Sequence, residues 1–333
     1  MDKRADLFIK FIFSLLLFVA VFYLVGFEKI AEVLFSMDLG LFALALLLYV
    51  FVNLLMSLRI RLVLSSIGEK LGIRQIFPSS LAGMLASDFT PSRAGYFFTA
   101  FSLSSKFNIK IEKTILAIFG PQLLDFTIKS VSAAIMLAVI INYSGSDGML
   151  LNMVLLLFVF SAIAVAGLLV FYPPFLGRLR FLEHIPLASR AFAFLTRMHE
   201  HSDKLLSIKW KILGITLMNW LLKGVEWFIL SRAINLHISD NPLFDLGFIM
   251  IFQAAITIIQ FVPLPTLAGA GASEAGFAAI LYFFGVPLEV GITFGFLTRL
   301  VMIIIDAFAL PVLYDFVHKY GVEGLLSHIS SKV

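Results

Sequence analysis

The chain has 333 residues, of which 60% are hydrophobic and 14% are charged, and its formal net charge is +4. Soluble domains are about 45–50% apolar and about 25% charged, so this composition excludes a soluble globular protein. The mean hydropathy is +1.01, and the apolar runs continue over about 20 residues, the length of a membrane-spanning helix. A β-barrel would alternate polar and apolar residues instead. We therefore expect an all-α polytopic membrane protein.

Apolar segments that could be full transmembrane helices occur in chain order at 8–26, 39–58, 114–142, 150–171, 212–233 and 290–314. The first is too long for the hydrophobic region of a signal peptide and lacks a small-residue cleavage site, so we interpret it as a span.

Two further apolar regions, 75–105 and 243–285, contain Pro, Gly or charged residues near their middles. We interpret each as two half-helices folded back on themselves, which makes two re-entrant hairpins beside about six full spans. Non-helical backbone at membrane depth must be covered by protein or line an aqueous cavity. Both hairpins are therefore expected to be interior elements.

The basic residues predict the orientation. With the N-terminus in the cytoplasm, 19 of the 25 Lys and Arg residues lie on the cytoplasmic side, and Lys29 and Arg232 lie outside. This positive-inside asymmetry requires both hairpins to return to the side that they entered. We expect a protein integral to the plasma membrane with both termini cytoplasmic. The cytoplasmic connection at about 172–211 is either an amphipathic helix on anionic lipid or a solvated loop.

The two broken regions resemble each other. Ser92-Arg-Ala-Gly95 corresponds to Ser273-Glu-Ala-Gly276, and each motif begins an aromatic-rich half-helix. In the helices that follow, Gln122 corresponds to Arg299. Three full spans separate the hairpins, so the second is expected to enter from the opposite side.

We therefore predict a single membrane domain over residues 1–333. It contains a first repeat at about 75–142 and an inverted second repeat at about 243–315. Inverted repeats with broken helices that meet near the bilayer midplane are the design of many secondary transporters.

Four features carry a resemblance to a known family: Pro91-Ser-Arg-Ala-Gly95, Asp125, Gly269-Ala-Gly-Ala-Ser-Glu274 and Arg299. On these residues the chain resembles the flippase-like family defined by the transmembrane region of lysylphosphatidylglycerol synthase, the multiple peptide resistance factor of bacteria. The resemblance covers roughly residues 8–315. It implies a lipid translocator that moves an anionic phospholipid or a polyprenyl-phosphate-linked head-group between leaflets.

The chain departs from the family pattern at Tyr96, where Glu is usual, at Leu267-Ala268, where Pro-Gly is usual, and at Ser273 and Gln122, where Arg is frequent. These departures affect the expected identity of the substrate more than the expected fold. The aminoacyl-transferring domain of the full-length synthase is missing from this sequence, so synthesis of aminoacylated lipid is not implied.

Charged residues within the predicted spans need a partner or a role, because one charge at the bilayer centre costs about 2.5–3.5 kcal/mol. The candidate charge-network residues are Asp88, Asp125, Lys129, Lys223, Glu226 and Asp306. Two pairs, Asp125 with Lys129 and Lys223 with Glu226, have helical spacing and are expected to neutralise each other. Proton carriers, if transport is coupled, would be Asp88, Glu274 and Asp306.

The candidate substrate-binding residues are Arg93, Gly95, Gly269, Gly271, Ser273, Glu274 and Arg299. Arg93 and Glu274 occupy equivalent repeat positions with opposite charge, so we expect an ion pair between them at the midplane, with Asp88 as the next choice of partner for Arg93. Arg299 is expected to contact a lipid phosphate. The N-termini of the half-helices would add exposed N–H groups suited to an anion.

The sequence has no Cys, and all six His lie in predicted loops or the tail. We therefore expect no enzyme activity, no cofactor, no metal and no nucleic-acid partner. The expected partners are membrane lipids, with anionic lipid at the cytoplasmic face, and the sequence is compatible with a homo-oligomer. Two alternatives stay open: a small-solute or ion-coupled secondary transporter, and an accessory scaffold for a membrane lipid or glycan enzyme. A groove open to lipid favours translocation, whereas a sealed cavity favours a solute.

Overall fold

The structure is a computed structural model that describes residues 26–90, 93, 95–144, 202–261, 271–316 and 318–319. In these ranges every regular element is helical. The helices are α1 (Phe27–Phe35), α2 (Leu39–Ser66), α3 (Ile73–Asp88), α4 (Tyr96–Phe107), α5 (Ile111–Ser144), α6 (Ser202–Ser207), α7 (Lys209–Ala233), α8 (Pro242–Phe261), α9 (Ala272–Phe283) and α10 (Leu288–Asp306). The predicted spans 8–26 and 150–171 lie outside the described residues, as does most of the connection 172–211.

Four helices of the described part are long and apolar enough to cross a membrane: α2, α5, α7, and α10 with its continuation to Phe316. They confirm four predicted spans. Helix α2 begins at an N-cap, because the Asp38 carboxylate accepts hydrogen bonds from the N–H groups of Gly40 and Leu41 at 2.8 and 3.0 Å. It continues to Ser66, well beyond the predicted end at residue 58, because the residues that follow Arg59 and Arg61 are again apolar.

Helices α3 and α4 form an antiparallel hairpin. The Ser102 hydroxyl in the middle of α4 donates to Ser79 Oγ in the middle of α3 at 3.0 Å. Gly83 lies against Thr99, and Gly95 lies against the backbone at the end of α3. At 16 and 12 residues, both helices are shorter than the about 20 residues that span a bilayer. The chain therefore turns back at 89–95, where the sequence predicted a break.

Close backbone contact at Gly95 yields a first prediction. A Cβ there would lie 2.1 Å from the Ser87 nitrogen and 2.2 Å from the Ala86 carbonyl carbon, and backbone atoms cannot move aside cheaply. We expect Gly95→Ala to lower stability by about 1–3 kcal/mol, measured as the thermal midpoint of the purified protein in detergent. Gly214→Ala is the matched control, since a Cβ there meets nothing within 4 Å. An unchanged midpoint for Gly95→Ala would contradict the hairpin packing.

Helices α8 and α9 are also antiparallel. Phe252 contacts Phe277 with ring centroids 5.2 Å apart, and Phe248 contacts Phe284 at 4.7 Å. The earlier residue of α8 thus contacts the later residue at the α9 end, so the two helices run in opposite directions. The segment 262–270, which includes Gly269, lies outside the described residues.

The loops group at two ends of the molecule. At the first, end A, Lys113 Nζ at the start of α5 lies 2.5 Å from Glu69 Oε1 in the α2–α3 loop. At the other, end B, the Asp38 N–H donates to the Ala233 carbonyl at 2.8 Å, and Arg232 pairs with Asp245 at 2.7 Å. The α3–α4 hairpin opens at end A and the α8–α9 hairpin at end B. End A carries Lys70, Arg74, Lys106, Lys110, Lys113, Lys204, Lys209 and Lys211.

Helix packing follows one pattern in both halves. Helix α2 packs against α7, and most further contacts have a counterpart when α2–α5 are exchanged with α7–α10. The corresponding pairs are α2–α3 with α7–α8, α3–α4 with α8–α9, α4–α5 with α9–α10, and α5–α8 with α10–α3. An aromatic cluster of Trp227, Phe252, Phe277 and Phe294 fills the core beside α7.

Candidate functional site

A polar cavity of about 70 Å³ lies between the two ends, in the middle of the long helices. Helices from both halves contribute to its wall: α2, α3, α4 and α5 from the first, and α7, α8 and α10 from the second. Its polar lining residues are Tyr49, Arg59, Arg93, Tyr96, Gln122, Asp125, Lys129, Asn219, Trp220, Lys223, Gln253 and Thr257.

Arg93 lies in the turn between α3 and α4 with a left-handed backbone, φ 55°. A residue with a side chain adopts that conformation at a cost of about 1–3 kcal/mol, and such strain clusters at functional sites. The Arg93 side chain is 7% exposed, and its Nη2 lies 3.2 Å from Asp88 Oδ1. Its Nε has no hydrogen-bond partner in the described part of the chain. Arg93 thus presents an unused donor in the cavity wall.

This contact corrects the ion pair expected between Arg93 and Glu274, which is wrong. The second choice, Asp88, is the partner of Arg93. Glu274 instead accepts a hydrogen bond from Arg299 Nε at 2.7 Å. The physical reason is local geometry: Asp88 is five residues from Arg93, across the turn, and Arg299 faces Glu274 across the antiparallel α9–α10 pair.

Arg59 is a second buried cation, and it directly follows the predicted span 39–58, which places it among the basic residues expected on the cytoplasmic side. It is 4% exposed, and its guanidinium donates to Thr216 Oγ1 and Gln122 Oε1, both at 3.3 Å. Arg59 Nε has no partner among the described residues. The predicted end of this span at residue 58 is therefore wrong, because α2 extends to Ser66 and carries Arg59 into the cavity wall. The apolar residues Leu62, Val63 and Leu64, which follow Arg61, were the signal for this extension.

The two local ion pairs predicted from helical spacing are confirmed. Lys129 Nζ lies 2.7 Å from Asp125 Oδ2, and Lys223 Nζ lies 2.5 Å from Glu226 Oε2. Lys223 also lies over the Tyr49 ring, 4.3 Å from its centroid. Three of these four charged groups line the cavity, while Glu226 is fully buried behind it.

Glu274, Ser273 and Arg299 form a separate cluster that does not line the cavity. The Glu274 Oε2 accepts from the Gly271 N–H at 2.8 Å and from the Ser273 hydroxyl at 2.9 Å. Arg299 Nη2 donates to Ser273 Oγ at 2.8 Å. Both carboxylate oxygens are therefore bound, and Glu274 fastens the N-terminus of α9 to α10. Gly271 permits this start with φ 81°, which favours glycine.

The cavity wall carries more basic than acidic side chains, but three of its four cations are held in ion pairs, Arg93 with Asp88, Lys129 with Asp125 and Lys223 with Glu226. The wall contains Arg59, Arg93, Lys129 and Lys223, against the single carboxylate Asp125. The donors Trp220 Nε1 and Gln253 Nε2 are buried there without a hydrogen-bond partner in the described residues, as are the two Arg Nε atoms. Spare donors beside buried cations suit an anion with several acceptor oxygens. In the same residues no group of three or more His, Asp or Glu side chains is placed to hold a metal.

Residues 7–309 match the profile of the lysylphosphatidylglycerol synthase TM region. The chain belongs to this family. The family resemblance read from the motifs is thereby confirmed, and membership is consistent with a lipid-related membrane function. No curated protein matches the chain.

The motif residues that carried the resemblance to the lysylphosphatidylglycerol synthase TM family lie at two different places in the structure. Arg93 and Asp125 line the cavity, and Gly95 holds the turn against α3. Glu274 and Arg299 lie in the α9–α10 cluster instead. Sequence reasoning missed the cavity residues Tyr49, Asn219 and Gln253, because isolated polar residues on apolar helices carry no spacing signal.

Proposed function

We propose that this protein is a lipid translocator, which moves an anionic phospholipid or a polyprenyl-phosphate-linked head-group between leaflets without changing it chemically. The observation that carries the proposal is the buried cavity lined by Arg59 and Arg93, whose Nε atoms have no hydrogen-bond partner among the described residues. Buried cations are costly in a membrane. A phosphate group would accept hydrogen bonds from the two Nε atoms and would offset the charge of Arg59, which forms no ion pair within the described residues.

The packing pattern supports the inverted repeat that alternating access requires. Matching contacts relate α2–α5 to α7–α10, and the two short hairpins open at opposite ends. In repeats of this kind the substrate site lies at the repeat interface near the midplane. The cavity lies where the two halves meet, so rocking of one half against the other would open it alternately toward end A and end B.

The membrane orientation gives a second prediction. End A carries most of the described Lys and Arg residues, so we expect it to face the cytoplasm. In sealed cells, Lys70→Cys at end A should resist a membrane-impermeant maleimide, and Asp240→Cys at end B should react. Both positions are exposed, and the native chain has no Cys to interfere. The reverse labelling pattern would contradict the proposed orientation.

The small size of the cavity favours a second candidate function. Since one water needs about 10–15 Å³ of such volume, the cavity of about 70 Å³ has room for a few waters or a small anion. A secondary transporter for a small anionic solute would need less opening than a lipid translocator.

A leaflet-resolved assay in proteoliposomes tests the proposal. We expect the purified protein to transfer labelled phosphatidylglycerol between leaflets faster than phosphatidylcholine, with and without a pH gradient to reveal coupling. Protein-free vesicles and vesicles with an unrelated membrane protein are the controls. Transfer at the rate of protein-free vesicles, together with uptake of a small anion, would favour the second candidate.

A further inference from the structure

Asp306 is a buried carboxyl group of α10, one helical turn beyond the cavity residue Met302. It is 0% exposed. Its Oδ2 accepts a hydrogen bond from the Tyr49 hydroxyl at 3.0 Å, and its Oδ1 has no hydrogen-bond partner in the described part of the chain. Tyr49 itself lines the cavity. The Tyr49 hydroxyl thus links Asp306 to the cavity by one hydrogen bond.

The other buried carboxylates near the cavity are held by cations. The ion pairs are Asp88–Arg93, Asp125–Lys129, Glu226–Lys223 and Glu274–Arg299. Within the described ranges Asp306 forms no ion pair. This difference separates Asp306 from the other two proton carriers expected from the sequence, Asp88 and Glu274.

The groups that face Asp306 come from several elements. Tyr49 lies on α2, Asp88 on α3, Arg93 in the turn, and Lys223 with Glu226 on α7. On α9, Glu274 is bound by Arg299 of α10 itself. Helix α1 offers only the exposed side chains Glu28, Lys29 and Glu32. If all these groups were ionised, the three carboxylates Asp88, Glu226 and Asp306 would face only two cations, Arg93 and Lys223. One negative charge would then have no counterion. A buried carboxylate without a cation as partner is costly to ionise, so the excess of negative charge favours proton uptake by Asp306.

We propose that Asp306 is the proton-binding site that couples transport to the proton gradient. This inference rests on the proposed function, in which the cavity receives an anion. An anion beside Arg93 repels an ionised Asp306 carboxylate, so the anion and one proton bind more tightly together than apart. The carboxylate takes one proton from water when the cavity loads and returns it to water when the cavity empties at the other end.

The test measures binding of short-chain phosphatidylglycerol to the full-length protein in detergent across a pH series. For the wild type we expect affinity to rise toward low pH by up to about tenfold per pH unit, with proton uptake detected by an indicator dye. Asp306→Asn, which resembles the protonated acid, should bind with the low-pH affinity at every pH. Asp315→Asn, an exposed carboxylate on the continuation of the same helix, should behave like the wild type. Short-chain phosphatidylcholine is the neutral-lipid control.

Two further measurements keep the test decisive. The infrared band of a protonated carboxylic acid should be present in the wild type at low pH and lost in Asp306→Asn. Should that variant fold poorly, Tyr49→Phe removes the hydrogen bond to the ionised form and should shift the pH dependence of binding to higher pH.

Three results would overturn the proton site: the wild-type pH dependence in Asp306→Asn, an unshifted profile in Tyr49→Phe, or no carboxylic acid band in the wild type. Absence of lipid transfer in vesicles, with pH-linked anion binding intact, would contradict the proposed function and leave the proton site standing.

Discussion

Arg93→Gln is expected to reduce transfer of phosphatidylglycerol at least tenfold, since a charge-assisted hydrogen bond contributes about 1.5–3 kcal/mol. It should also destabilise the protein by about 3–5 kcal/mol, because Asp88 is then left as a buried charge without its partner. The measurements are leaflet-resolved lipid transfer and the thermal midpoint in detergent. Both effects follow from the 3.2 Å contact between Arg93 and Asp88 and from the position of Arg93 in the cavity wall.

A double variant separates the two effects. Asp88→Asn combined with Arg93→Gln removes the orphan carboxylate, so its midpoint should recover above that of Arg93→Gln while transfer stays low. Arg61→Gln, an exposed arginine on α2, should leave both properties unchanged. Full lipid transfer by the stable double variant would show that Arg93 stabilises the fold and does not bind the substrate.

Glu274→Ala and Arg299→Ala are each expected to destabilise the protein by about 3–5 kcal/mol, the cost of breaking a buried pair. Glu274 is 1% exposed, and the Arg299 side chain is 12% exposed. Each single change leaves the other charge buried, and loss of Glu274 also releases the Gly271 N–H at the start of α9. Thermal midpoints of the single and double variants make a double-mutant cycle that measures the coupling.

Glu274→Ala combined with Arg299→Ala should be more stable than either single variant and should retain lipid transfer, because neither residue lines the cavity. A role for Arg299 as a direct phosphate contact stays a prediction from the sequence. It would be supported if the stable double variant lost transfer. Strictly additive losses of stability would contradict the coupling of Glu274 and Arg299.

Local patterns in the sequence predicted the structure well. The Asp125–Lys129 and Lys223–Glu226 pairs follow from helical spacing alone. The turn between α3 and α4 follows from a proline, a glycine and charged residues inside an apolar region. These features depend on neighbours in the chain, which a sequence displays directly.

Partners across helices could not be predicted in the same way. Whether Glu274 meets Arg93 or Arg299 depends on the register of α9 against α10, which is fixed by close contacts such as Gly291 against Ala278. The Tyr49–Asp306 hydrogen bond joins residues 257 positions apart. Arg59 was misplaced for a different reason: a charged residue was taken as the end of a span, although α2 continues and Gln122 and Thr216 accept hydrogen bonds from the guanidinium.

The claim that a lipid head-group enters the cavity between the two halves is tested most directly by photo-crosslinking. A phosphatidylglycerol with a photoreactive head-group is activated in proteoliposomes, and its adducts are located by mass spectrometry. We predict adducts on Met56, Trp220 and Met302 of the cavity wall, fewer with a phosphatidylcholine probe, and loss of these adducts in the double variant at Asp88 and Arg93. Adducts confined to exposed apolar residues such as Phe51 and Met218, equal for both lipids, would contradict the account.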